Sequence, residues 1–231
     1  MKLLTLNMRN GGRSNIPKIL SCLLDHEADI LVLAEFRNHA VGAEFRKKLF
    51  DAGFTFQAVS HGGHRVNKIL IASRPAMDVQ SHKYLEFDPV RFLHVRSERF
   101  SLIGVHMPNL KAKIPHWNAL LELASEVGEE PWVIIGDFNT GRNPQDSEGY
   151  KFTCANHMEA LENKGWIEAW RHLHPEAGEY SWYSHKGRGF RLDHAFLSPP
   201  LGYLLKRAAY DHVVREKGYS DHSALVIDLA L

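Results

Sequence analysis

The sequence predicts a single α/β domain of the α+β type, with mixed strand order, over residues 1–231. Three observations lead there. Short apolar runs such as Trp132-Val133-Ile134-Ile135 carry no polar relief, the pattern of strands buried on both faces. Between such runs lie segments with apolar residues at i, i+3 and i+4, the pattern of helices that pack by one face. No linker, low-complexity tract or fixed-period repeat divides the chain.

In chain order, Lys2 to Leu6 reads as a first strand. Ile16, Ile19, Leu20, Leu23 and Leu24 then mark a helix with Ser14 or Asn15 as its cap and Pro17 in its first turn. Asp29 to Leu33 is a second buried strand, and Val41, Phe45 and Leu49 mark a helix closed by Gly53. Phe54–Ser60 and Lys68–Ser73 read as strands, and Val90–Arg96 with Phe100–His106 as a hairpin turning at Ser97-Glu98. Trp117, Leu120, Leu121, Ala124 and Val127 mark a third helix, and Thr153 caps a fourth that carries Met158 and Leu161. The last third is strand-rich: "YSWYS", "RLDHAFL" and "SALVIDLAL".

Bulk composition narrows the function classes. An apolar content of 44% with 24% charged residues is that of a soluble globular chain. Net charge is only +1, so any binding of phosphate depends on local charge rather than on a global field. The two cysteines, Cys22 and Cys154, do not make a disulfide scaffold and suit a reducing compartment. The N-terminal apolar run is too short for a secretory core and no window has the length of a membrane span, so a cytoplasmic protein without membrane association is expected. The basic run Arg46-Lys47-Lys48 lies on a helical pattern and reads as a solvated face.

Polar residues recur where buried strands end. Asn7, Glu35, His106 with Asn109, Asp137 with Asn139, Asp193, and Asp221 with His222 all stand at such places. In "GDFNTG", Asp137 and Asn139 are two apart and so share one side of an extended chain. Any one of them also reads as a turn or a hydrogen-bonded core residue. Buried without partners, each would cost several kcal/mol, about the transfer penalty of a polar group. One shared site for a hard cation and a phosphate would satisfy them together.

The ordered set "LNMRNGG", "LAEFR", "VHMPN", "GDFNTG", "RLDHAFL" and "YSDHS" resembles the endonuclease/exonuclease/phosphatase (DNase I-like) superfamily, most of all its exonuclease III and abasic-site endonuclease branch, from Lys2 to Leu229. The resemblance implies a four-layer α/β/β/α sandwich of two mixed β-sheets flanked by helices, and hydrolysis of phosphodiesters with Mg²⁺, or Mn²⁺ in its place. It implies that Glu35, Asn7 and Asp221 hold the metal, that Asp137 activates the attacking water, that Asn139 orients the phosphate, and that His222, oriented by Asp193, contacts the scissile phosphate. Asn109 matches a phosphate-binding asparagine, and Trp182, Phe190 and Leu192 fall near the positions that form an abasic-sugar pocket. Arg188, Arg191, Lys186 and Arg142 are loop cations that could bind flanking phosphates.

The chain departs from the branch at three places. His106 stands where abasic endonucleases carry tyrosine; histidine there is the habit of DNase I-like members, where it acts as an acid near the leaving oxygen. Ala34 replaces a glutamine, and Arg9 stands where many relatives have Asn or Asp. The expectation is a Mg²⁺-dependent nuclease acting on DNA, as duplex, at an abasic site or at a 3′ end, in DNA repair and without an obligate protein partner. The alternatives are a same-fold RNA nuclease or small-molecule phosphoester phosphatase, and a catalytically silent nucleic-acid-binding module.

Overall fold

A computed structural model describes residues 1–231. Its first half runs β1 (Lys2–Asn7), α1 (Ile16–Asp25), β2 (Ile30–Phe36), α2 (Ala40–Asp51), β3 (Phe56–Val59), β4 (Lys68–Ser73), β5 (Asp78–Gln80), β6 (Phe92–Arg96), β7 (Ser101–His106), α3 (Ile114–Glu126) and β8 (Trp132–Asp137). The second half continues with α4 (Ala155–Glu162), β9 (Ile167–Glu168), α5 (Ala169–Leu173), β10 (Trp182–Tyr183), β11 (Gly189–Phe190), β12 (Asp193–Leu197), α6 (Pro199–Gly202), β13 (Leu205–Asp211), α7 (Val213–Glu216) and β14 (Ala224–Leu229).

The strands form two six-stranded sheets, ordered β13-β14-β1-β2-β4-β3 and β5-β6-β7-β8-β12-β9. Both are mixed, because β1 pairs β2 and β7 pairs β8 in parallel while their other neighbours are antiparallel. Three apolar clusters then fix the layers. Val32, Ile69, Val133 and Ala195 meet between the sheets. Leu31, Leu33, Ile19 and Phe45 join α1 and α2 to the outer face of the first sheet, while Ile134, Trp117, Leu120 and Met158 join α3 and α4 to the outer face of the second. This is the four-layer α/β/β/α sandwich. The unrelieved apolar runs follow directly: alternate residues of β2 and β8 serve an inner and an outer core, so neither face can be polar.

Most elements lie where the sequence placed them, with instructive differences. Thr153 is not the cap of α4; Cys154 holds that position in left-handed geometry (φ 71°) and makes no side-chain capping bond. β5, α5 and β13 were not foreseen. β13 reads LKRAAYD, half-exposed at a sheet edge, and so lacks the apolar run that marks a central strand. The basic run on α2 is solvated as expected, with Lys47–Asp51 and Lys48–Glu44 pairs one turn apart. No helix is long and apolar enough to cross a membrane.

Strand direction builds the site. In the first sheet Asn7, the last residue of β1, is in register with Ala34, so Glu35 emerges beside it. In the second, His106 and Asp137 are paired at the shared end of the parallel strands, and Asp193 pairs with Asp137 where antiparallel β12 begins. The two polar rows face one another across the same end of the sandwich.

Candidate active site

Two local backbone devices aim the side chains. The register of β2 against β4 slips between Leu33 and Phe36, and Glu35 sits in that bulge at φ 57°. A positive φ is costly for glutamate, and bulges re-aim side chains next to active sites. In β8, Gly136 has φ 146°, and a Cβ there would lie 2.1 Å from the Val105 carbonyl oxygen. Only glycine lets β7 come this close and still deliver Asp137 to the strand end. Asn139 then turns back in the left-handed region, φ 48°, which asparagine tolerates.

The resulting cleft has a volume of about 840 Å³. On its floor, the Asn7 amide donates from Nδ2 to Asp137 Oδ2 at 2.9 Å and to Glu35 Oε1 at 3.3 Å. Glu35 Oε2 is anchored by the Asn10 backbone N–H at 2.7 Å and by Asn67 Nδ2 at 2.9 Å. Glu35 Oε1 therefore faces the cleft, 3.7 Å from His106 Nε2. Arg37 does not pair with Glu35; it holds Asn10 and Asn67, at 2.7 and 2.8 Å, and so stiffens the groups that hold Glu35.

His222 and Asp193 form a pair, with Nδ1 2.8 Å from Oδ2, and the other ring nitrogen lies 4.0 Å from Asp137 Oδ2. Burial alone would lower the His222 pKa, but the charge and hydrogen bond of Asp193, with Asp137 and Asp221 beyond, carry it up to about 10. His222 is thus an imidazolium at neutral pH. Burial pushes the Asp137 carboxyl up, against the opposing pull of His222. Its two oxygens accept from the Asn139 backbone N–H at 2.9 Å and from Asn7. His106 behaves differently from a histidine acid poised for neutral pH. Burial, joined by the Arg91 guanidinium and opposed by Asp137, brings it down to about 4, so the ring is neutral.

The donors fit a hard cation at Glu35. One carboxylate oxygen is pinned and the other faces the cleft, which suits an ion that takes few protein ligands and keeps its waters. Asp221 stands on the lip near Trp182 Nε1 (3.4 Å) and Arg9 Nε (3.7 Å). Asn7 offers nitrogen rather than oxygen to the site, because its Oδ1 accepts the Arg9 backbone N–H at 2.9 Å. Its place is between the carboxylates, as a spacer. Asp137, Asp193 and His222 also bring ligand atoms within 4.8 Å of one another. There, however, the imidazolium already supplies the positive charge, and a cation would have to displace its proton.

The walls carry the rest of the expected set. Trp182, Phe190 and Leu192 do line the cleft, with Trp182 and Phe190 ring centroids 5.6 Å apart. Tyr150 and Phe152 extend this wall through edge-to-face contacts with Phe190, at 5.6 and 5.8 Å. Asn109 is exposed on the opposite rim. Arg188 is exposed on the turn between β10 and β11 and does not line the cleft; Lys186 is exposed on the same turn. Arg142 is bound to Glu162 instead. Arg191 is no phosphate ligand: it is 0% exposed and bidentate to Asp146, at 2.9 Å for both bonds.

Sequence reading missed Asn67, Arg91, Lys113, Tyr150 and Phe152. Asn67 and Arg91 immediately precede β4 and β6, the same strand-terminus signal that marked Asp193 at the start of β12 and His222 ahead of β14, and it could have found them. Lys113 lies buried in the cleft wall, donates to the Asn139 carbonyl, and is lowered to about 8 by burial. It ends a short 3-10 helix, Leu110–Lys113, with no strand to flag it.

Comparison with known proteins agrees with the fold. The model of the endonuclease/exonuclease/phosphatase family matches residues 4–222. A 3′-5′ exonuclease (NExo) from Neisseria meningitidis superposes with a TM-score of 0.86 at 25% identity, each chain covered in full. An AP endonuclease from Archaeoglobus fulgidus shares the fold, with a TM-score of 0.82 at 20% identity and full coverage of both chains. Recombination repair protein 1 of Drosophila melanogaster matches 49% of this chain at 29% identity, and the match spans only 20% of that protein's length. The chain belongs to the endonuclease/exonuclease/phosphatase family.

Proposed function

We propose that the chain is a Mg²⁺-dependent DNA nuclease of the exonuclease III and AP endonuclease kind, acting in DNA repair on duplexes with an abasic site or at a 3′ end. The observation that carries this is the meeting of Glu35, Asp137 and the His222–Asp193 pair in one cleft with an aromatic wall on one side. Glu35, with Asp221 on the lip, would hold the cation, and the cation would neutralise charge on the scissile phosphate. Asp137, its basicity raised by burial, takes the proton of the attacking water. The His222 imidazolium donates to a phosphate oxygen as negative charge builds there, and Asp193 keeps the ring charged and oriented. Asn139 spends one amide hydrogen on the Met107 carbonyl at 2.8 Å, which leaves its other amide hydrogen for the phosphate.

The aromatic wall supports a choice of substrate. A flipped sugar without a base would lie against the apolar wall that Trp182, Phe190 and Leu192 form, and extrusion costs less where pairing is already lost. A silent binding module would not need buried carboxylates held beside an imidazolium. The free thiols of Cys22 and Cys154 suit the cytoplasm.

The test is a panel of labelled substrates: intact, nicked and abasic duplex, single-stranded DNA, RNA and a small phosphomonoester, each with Mg²⁺ or with EDTA. The proposal expects Mg²⁺-dependent cleavage, fastest on abasic or 3′-end duplex. Preference for RNA or for the monoester would replace the substrate and keep the chemistry.

A further inference from the structure

Arg91, just ahead of β6, sits in the cleft with no part in the chemistry above. Its Nη1 lies 3.1 Å from Nδ1 of His106 and 3.4 Å from the His106 carbonyl oxygen, while the His106 backbone N–H donates to the Arg91 carbonyl at 3.1 Å. The two residues are therefore locked together through backbone and side chain. A guanidinium has donors only and does not lose its proton in proteins. The ring nitrogen facing it must accept and so carries no proton, which makes the ring a neutral imidazole with its one proton on the other nitrogen. That nitrogen, Nε2, points at the centre of the cleft, 3.7 Å from Glu35 Oε1.

We propose that Arg91 is a positioning residue that fixes His106 as its Nε2–H tautomer, presenting a neutral N–H donor to the phosphate. The inference rests on the proposed phosphodiesterase reading for its kinetic consequence but not for the tautomer itself. A neutral imidazole N–H keeps its proton, so His106 stabilises developing charge and does not protonate the leaving oxygen. Arg91 acts on the reaction through that ring: replacing it frees the ring to take the other tautomer, which turns a lone pair toward an anion.

Two measurements test this. Long-range ¹⁵N–¹H spectra of the histidine rings in metal-free protein should show the Nε2–H pattern for His106, and a shift toward the Nδ1–H form in Arg91→Met. In steady-state kinetics on the best DNA substrate, Arg91→Met should lower kcat about 10-fold, the lower end of what a histidine's orienting partner contributes, with KM little changed. Arg91→Lys, which keeps a donor, should recover most of the loss. In a His106→Ala background, Arg91→Met should cost nothing further, because the residue acts only through the ring. An Nδ1–H pattern in the wild type overturns the proposal, and so do losses that add in the double variant or appear in KM, since Arg91 would then contact phosphate directly. If the wild type cleaves no DNA, the proposed function falls while the spectrum still decides the tautomer.

Discussion

Asp137 and Asp146 are both buried carboxylates, nine positions apart in the chain, and the protein treats them in opposite ways. Asp146 is surrounded by cations: Arg191 bidentate at 2.9 Å and Arg171 at 2.9 Å, with the Arg142 backbone N–H at 2.8 Å. Arg191 also reaches Glu168 at 2.8 Å, and His194 joins Glu168 at 3.3 Å. Burial pushes the Asp146 carboxyl up, and Arg191 more than reverses it, so the pKa ends below its ordinary value. Asp137 has only amides on its oxygens and an imidazolium 4.0 Å away, and its pKa ends above the ordinary value. The difference separates two uses of buried charge. A carboxylate neutralised in full by neighbours holds the fold, whereas one left partly uncompensated at a cleft keeps the proton affinity that the base role proposed for Asp137 needs. Arg191 and Leu192 lead straight into Asp193, so the paired network forms the rigid backing of the reactive one.

The largest effect expected from this comparison is on stability. Arg191→Met leaves buried Asp146 with Arg171 alone and strips Glu168 of its guanidinium, and should cost ~3–5 kcal/mol in denaturant unfolding. Turnover per folded molecule should change much less. A variant of normal stability and lost activity would place Arg191 among the substrate contacts after all.

Glu35→Gln should do the reverse. Its bonds to the Asn10 N–H and to Asn67 involve one oxygen, which glutamine retains, so the melting temperature should hold. The charge that binds a hard cation is gone, and the Mg²⁺ concentration for half-maximal rate should rise steeply, with little turnover at limiting Mg²⁺. Undiminished turnover under those conditions would remove Glu35 from the metal site.

Acid should act on the paired network first. Asp146 and Glu168 have native pKa values depressed below their ordinary 3.8 and 4.5, burial being outweighed by Arg191 in both. Their stabilisation is therefore complete above about pH 4.5 and is lost as pH falls through the depressed native values. Thermal unfolding at pH 7, 4 and 3 should show the wild type losing stability in the acid range and Arg191→Met losing less. Parallel curves would mean that the network carries no net charge stabilisation.

The smallest effect is one of selectivity. Phe190→Ala removes the ring that links Trp182 to Tyr150 and Phe152, contacts worth ~0.5–1.5 kcal/mol each. The ratio of initial rates on matched abasic and intact duplexes should fall several-fold, with the intact rate nearly unchanged. An equal fall on both substrates would make the wall a general structural support.

Much of this was legible in the chain because burial on both faces leaves a plain signature. β2 and β8 were visible as unrelieved apolar runs, and the polar residues closing them stood out for the same reason. What stayed hidden depends on contacts far apart in sequence. Nothing local distinguishes Arg191, deep in a network, from Arg188, exposed on a turn; their surroundings are set by residues 146 and 168. Asn7 illustrates the same limit at atomic scale, since the motif identified its place but not which end of its amide faces the carboxylates. β13 escaped because an exposed edge strand has no apolar face to announce it.

The most direct measurement is the turnover of Asp137→Asn beside its melting temperature. Asparagine keeps the shape and can still accept the Asn139 N–H, but it cannot take a proton. The account predicts a kcat at least ~10²-fold below wild type, the usual contribution of a positioned base, with DNA binding retained and the melting temperature unchanged or raised. A variant that turns over normally, or whose lost activity tracks lost folding, would contradict the division between the charge that holds this protein together and the charge that does its chemistry.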